Sequence, residues 1–295
     1  MRRLALVLAS LGALTGACTA GDGDPTPTAG VPTATASPAA GRADVGGYEL
    51  AYECRGEGTP TIVTEAGYDS AGTSTWFGLM DDLAAISRVC TYDRAGTGSS
   101  DPRPDAEGLT SADQAAELRT LLEEAGVEPP FVLVAHSYGG FISRLFADTY
   151  LDETAGIVLI ESSHEDEIDA YAEVYGDKPA GDWVDGGDLL DIEATEAALR
   201  EARDYGDVPL IAIRAERYED VLDEDLWVQT QADLATLSSN ALHVVALGSG
   251  HFVMDPGNNP EVVVAAVDAV VASARSDDPL PACAGFAADL EATCP

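Results

Sequence analysis

The sequence predicts an α/β fold: a doubly wound, mostly parallel sheet with a short helical cap. Three observations carry this. Strand-like apolar runs alternate with helix-like runs along residues 48–275. From residue 61 onward the strand-like runs are continuously apolar, which marks strands covered on both faces. And the run FVLVAH (131–136) breaks at Ser137, with Gly139-Gly140 just beyond, before a helix-spaced segment begins. That is a strand, a sharp turn and a helix, with a serine at the apex.

In chain order, residues 1–17 read as a targeting segment. Arg2-Arg3 precedes the apolar stretch LALVLASLGAL, which is too short to span a membrane comfortably. The small residues Thr15, Gly16 and Ala17 before Cys18 resemble a bacterial lipobox, which implies lipidation of Cys18; a plain secretory signal is the alternative. Residues 18–43 are Pro, Thr, Ala, Gly and Ser with almost no apolar bulk, so a disordered linker is expected. The globular domain is expected over 44–295. YELAYEC (48–54) and TIVTEAG (61–67) are strands, LMDDLAAIS (79–87) a helix and RVCTYD (88–93) a strand. Residues 110–126 form an amphipathic helix that starts at a Thr or Ser cap and stops at Gly126. After FVLVAH and the helix that follows it come the strands GIVLIE (156–161), PLIAIRA (209–215) and HVVALG (243–248), then a closing helix at 261–275. The acidic insertion at about 164–206 is too long for a simple crossover and reads as a cap over the strand ends. Residues 276–295 form a tail.

Acidic residues number 52 against 15 basic ones, for a net charge of −37. Such a surface repels phosphate backbones and anionic headgroups, so no nucleic-acid partner is expected, and a membrane only through the lipid anchor. The location expected is exported: held by lipid on the outer face of a bacterial cell membrane, or secreted. Beyond Cys18 there are four cysteines, and in an exported chain these suggest disulfides with three possible pairings. Cys54 and Cys90 both lie in strand-like runs, while Cys283 and Cys294 bracket the tail. The expected bridges are therefore Cys54–Cys90 and Cys283–Cys294.

The serine sits in Ala135-His136-Ser137-Tyr138-Gly139, an A-x-S-x-G pattern. Small residues on either side let strand and helix approach, the hydroxyl is pushed out over the strand end, and the Tyr138 amide lies at a helix N-terminus. An ordinary helix N-cap is the plain alternative.

Taken with EAGYDSAGTSTW, TYDRAGTGSSDP, GIVLIESSHED and GSGHFVMDP, the segment VLVAHSYGG resembles the α/β-hydrolase family over roughly residues 46–275. The resemblance implies that His251, in the glycine-rich loop after the last strand, is the base for Ser137. It implies a carboxylate to orient that base, and the strand-end Glu161 is favoured over Glu216 and Asp220. It implies an oxyanion hole from the amides of Tyr138 and Tyr68. Where the family commonly has His-Gly and then a donor, this chain has Ala66-Gly67-Tyr68; the donor stays, but a hydrogen-bonding partner of the loop is lost. The family's strand order also sets the second and fourth strands, with Cys54 and Cys90, side by side. His136 should face the sheet side of the turn, His243 should be structural, and His164 could line the pocket. Tyr171, Tyr175 and Trp183 suit cap packing or an acyl pocket.

The expected activity is that of a serine hydrolase cleaving a carboxylic ester, or a similar acyl bond, of a small molecule through an acyl-enzyme. An amidase or aminopeptidase on the same scaffold, and a non-catalytic tethered binding protein, are the alternatives. With no metal-ligand spacing or dinucleotide fingerprint, no cofactor is expected. Substrate identity and oligomeric state are not legible.

Overall fold

A computed structural model describes residues 40–104, 108–166, 184–202, 204–217 and 224–295. The leader, Cys18 and linker residues 18–39 lie outside these, as do Tyr171, Tyr175 and Trp183 of the cap. The chain runs β1 (Ala40–Asp44), β2 (Glu49–Arg55), β3 (Thr61–Glu65), α1 (Gly72–Thr75), α2 (Met80–Ile86), β4 (Val89–Tyr92), α3 (Ser111–Glu124), β5 (Phe131–His136), α4 (Gly139–Thr149) and β6 (Thr154–Ile160). The described part of the cap follows as a hairpin, β7 (Val184–Asp185) and β8 (Asp188–Leu189), and one helix, α5 (Ile192–Glu201). Then come β9 (Leu210–Ala215), α6 (Glu224–Leu234), β10 (Ala241–Ala246), α7 (Pro260–Ser276), α8 (Cys283–Phe286) and β11 (Ala292–Thr293).

The main sheet has the order β1-β2-β4-β3-β5-β6-β9-β10-β11, parallel from β4 to β10 and antiparallel at both ends. Its central strands are buried along almost their whole length because helices cover both faces. Phe131, Leu133 and Ala135 of β5 join a core with Leu118 and Leu121 of α3 and Phe141 and Leu145 of α4. The alternate residues Val132 and Val134 join a separate core with Met80 and Leu83 of α2 and Val263 and Val267 of α7. These five of the six β5 residues are fully buried. At roughly 1.5–3 kcal/mol per buried aliphatic or aromatic side chain, this double burial fixes the register of the strand that carries the serine.

Helix α3 begins where its sequence says it should. Thr110 caps the Asp113 amide at 3.1 Å, and the Asp113 carboxylate accepts from the Thr110 amide at 2.9 Å. Gly126, at φ +63°, ends it.

Three features differ from expectation. Residues 40–43, placed in the linker on composition, lie in edge strand β1, where small side chains are enough because one face meets solvent. Arg42 ties the strand down, with its guanidinium 3.1 Å from Glu49 and 2.5 Å from Asp101. The cap contains a β-hairpin besides its helix. And α6 forms between β9 and β10, where the sequence reading places no element.

Cys54 and Cys90 are register partners on β2 and β4, with Cα atoms 4.1 Å apart, and are bridged. The Cys283–Cys294 bridge closes the tail, and β11 covers the β10 edge.

Candidate active site

The site stands where β3, β5, β6 and β10 end. Ser137 adopts φ +52°, a left-handed conformation that costs a non-glycine residue about 1–3 kcal/mol. Three hydrogen bonds hold it: its amide donates to the Ile160 carbonyl at 3.0 Å, and its carbonyl accepts from Gly140 at 2.9 Å and Ser163 at 3.0 Å. The glycines are sterically required. A Cβ at Gly139 would lie 2.6 Å from the Ala66 carbonyl oxygen, and one at Gly140 would lie 1.8 Å from Ser162 Oγ. Flanked by buried residues on both sides, Ser137 remains half-exposed. Tyr138 is the N-cap of α4, so its amide has no partner within the helix.

On one side of the serine is a carboxylate–imidazole pair. Glu161, directly after β6, has φ +46° and is 3% exposed. Its Oε1 accepts from the Ala215 amide at 2.6 Å, and its Oε2 accepts from His251 Nδ1 at 3.2 Å. With Nδ1 donating to Glu161, the neutral ring keeps Nε2 free to accept a proton. The imidazole is 39% exposed. It packs against His136 at 4.7 Å between ring centroids, and edge-on to Phe252 at 5.2 Å and Trp227 at 6.4 Å. Among the described residues no hydrogen bond joins Ser137 to His251.

His136 is the last residue of β5; its Nε2–H donates to the His251 carbonyl at 3.0 Å, and its Nδ1 lies 3.0 Å from where a Cβ on Gly67 would be. The side chain is thus wedged between the two loops that flank the serine. Burial and the neighbouring His251 hold its pKa well below the usual histidine value, so it is neutral.

On the other side is a buried polar hub that the sequence reading missed. Arg94 is 4% exposed, with Glu65 and Asp185 at 1% each. The guanidinium meets Glu65 at 2.7 Å and Asp185 at 2.6 Å, and donates to the carbonyls of Ala66 at 2.9 Å and Gly67 at 2.6 Å. Tyr92 donates to Glu65 at 2.5 Å. Burial raises the Glu65 pKa above its ordinary value despite the guanidinium, which itself stays charged. The available signal was Arg94 placed between a buried strand and a glycine turn, together with Glu65 as the one charge on a fully buried strand. Both are costly charges unless paired.

Of the other named carboxylates, Glu216 is exposed and accepts from the Gly248 amide at 2.8 Å, bracing the loop that carries His251 without pairing with the ring. Asp220 lies outside the described residues. Tyr68 stands on the expected loop, its ring 6.1 Å from that of Tyr138. His164 is buried, donating from Nε2 to Asp233 at 3.3 Å and accepting from the Asp166 amide at 3.1 Å. His243 lies on β10, and burial with nearby Arg214 lowers its pKa to about 4.

Comparison with known proteins agrees with this fold. Residues 64–182 match the family model described as alpha/beta hydrolase fold. An uncharacterized protein of Bacillus subtilis, YqjL, is 29% identical over 201 residues, spanning 67% of this chain and 78% of the relative. Two further relatives match over shorter stretches, with the chain spanning 19% and 33% of their lengths. Among solved structures, a thermophilic esterase from Thermogutta terrifontis superposes with a TM-score of 0.58 at 19% identity, over 80% of this chain and 99% of that one. An epoxide hydrolase, CorEH, superposes with a TM-score of 0.55 at 16% identity, over 76% and 95%. The chain has the fold of the α/β hydrolases.

Proposed function

We propose that this protein is a serine hydrolase that cleaves a carboxylic ester of a small molecule through an acyl-enzyme. Ser137 attacks the carbonyl carbon while Nε2 of His251 takes its proton. Glu161 fixes the imidazole tautomer and stabilises the imidazolium. The amides of Tyr138 and Tyr68 stabilise the oxyanion. His251 then protonates the leaving alkoxide, and in the second half activates the water that releases the acid. One observation supports this above the rest: a buried carboxylate bonded to Nδ1 of a half-exposed histidine, beside a serine held in left-handed backbone. The missing Ser137–His251 hydrogen bond is compatible with it, because such contacts commonly tighten only with substrate bound. A serine at the elbow, where an aspartate would suit epoxide hydrolysis or dehalogenation, favours acyl transfer.

A fluorophosphonate probe tests the reading. Labelling should map to the peptide that contains Ser137 and vanish in Ser137→Ala and His251→Ala, with p-nitrophenyl esters turned over faster than aminoacyl anilides. Labelling that persists in Ser137→Ala refutes the nucleophile; anilides turned over faster than esters make it an amidase.

Arg2-Arg3, the apolar stretch after it and Cys18 support export and lipid anchoring on the outer face of the membrane. Incorporation of an alkyne fatty acid, lost in Cys18→Ser, is the outcome expected.

A further inference from the structure

The two amides proposed for the oxyanion hole sit on different segments, and one buried hub reaches both. Gly67 C=O and Tyr68 N–H belong to the same peptide unit. That unit is planar and trans, so the two groups point in opposite directions. Arg94 Nη2 grips the Gly67 oxygen at 2.6 Å and Nη1 grips the Ala66 oxygen at 2.9 Å, which fixes the direction of the Tyr68 amide. On the elbow side, Tyr138 Oη donates to Gln114 at 2.6 Å, and Gln114 Nε2 donates to Asp185 at 3.0 Å. Asp185 is the common member. Its Oδ1 accepts from Arg94 at 2.8 Å and from the Asp69 amide at 2.8 Å; its Oδ2 accepts from Arg94 at 2.6 Å and from Gln114. Asp185 belongs to the cap hairpin, and next to it the Val184 amide donates to Tyr68 Oη at 2.6 Å.

We propose that Arg94 and Asp185 are positioning residues for the oxyanion hole, so that the hole has its working geometry only while the cap hairpin is docked. This rests on the acyl-transfer reading above. A buried ion pair with a stabilising role alone would not need to reach the carbonyl of the very peptide that bears the donor. Nor would it need a bond into the residue that follows the nucleophile. The arrangement also fills the place left by the histidine that Ala66 replaces: the loop's hydrogen bonds come from across the sheet and from the cap.

Asp185→Asn in the full chain is the test, because asparagine keeps the shape but cannot accept at both oxygens. In that variant, kcat for a p-nitrophenyl ester should fall about tenfold to a hundredfold with KM within about twofold. Inhibition by phenylboronic acid, whose serine adduct is tetrahedral and anionic, should weaken by the same factor, while thermal melting shows a folded protein at the assay temperature. A lowered melting temperature with kcat and boronate affinity intact overturns the proposal, as does a loss of kcat without loss of boronate affinity. If Asp185→Asn does not fold, Tyr68→Phe removes the hydroxyl that accepts from Val184, at a partly exposed side chain. It should weaken kcat and boronate inhibition together, by a smaller factor, and no change in either overturns the proposal. A wild type that neither turns over ester nor takes the fluorophosphonate brings down the acyl-transfer reading, and this inference with it.

Discussion

Two carboxylate-centred clusters flank Ser137, and they are built on opposite plans. Glu161 has one hydrogen bond to a backbone amide and one to a titratable ring, and that ring is 39% exposed. Glu65 and Asp185 share a permanently charged guanidinium sealed from solvent, and every donor of Arg94 named above meets an oxygen. A pair that must exchange a proton needs a group that changes charge and has room to move. A cluster that must hold geometry needs one that cannot change charge and has no freedom left. Under the proposed reaction, the first cluster moves the proton and the second holds the frame.

Substitutions separate these plans. The largest effect belongs to the sparse cluster: Glu161→Gln should lower kcat by roughly three to four orders of magnitude while leaving the melting temperature nearly unchanged. Glu216→Gln, one loop away, should change kcat by less than about twofold. Reversed results would move the acid to Glu216. The saturated cluster should fail the other way. Arg94→Met strands two buried carboxylates and should cost about 3–5 kcal/mol in urea unfolding. That deficit should be greatest at high pH. Burial already raises the Glu65 pKa, losing the guanidinium raises it further, and the stability of a group with a raised folded pKa is lost as pH rises. An equal deficit at pH 5 and pH 8 would contradict the hub as a charge cluster. The smallest effect lies away from both. His243, lowered to about 4 in the fold, takes up a proton on unfolding between that value and its ordinary one. Stability should therefore fall as pH drops from about 6.5 to about 4, and His243→Gln should flatten that slope.

The sparse cluster was legible in the sequence and the saturated one was not. Ser137, Glu161 and His251 each follow an apolar strand or sit in a glycine-rich loop, so each is marked by its immediate neighbours. Arg94 is marked only by its place between a buried strand and a glycine turn; Asp185 and Gln114, joined to it by contacts that span up to 91 residues, carry no local mark. The central strands were readable because burial on both faces leaves continuous apolar runs. Edge strand β1 was not, since its composition matches a linker and its pairing partner alone makes it a strand.

The same edge strand has a mechanical consequence. Ala40 pairs with Glu53, so β1 enters the fold at the end of the hairpin where β2 leaves it. A pull applied through the residues before Ala40 would load the β1–β2 hydrogen bonds one at a time, like a zipper, and not all together in shear. Peeling would begin beside Cys54, whose bond to Cys90 fastens β2 to β4 at that very end. The hairpin can give way as a fuse, while the covalent link keeps the strain from reaching the strands that carry the serine.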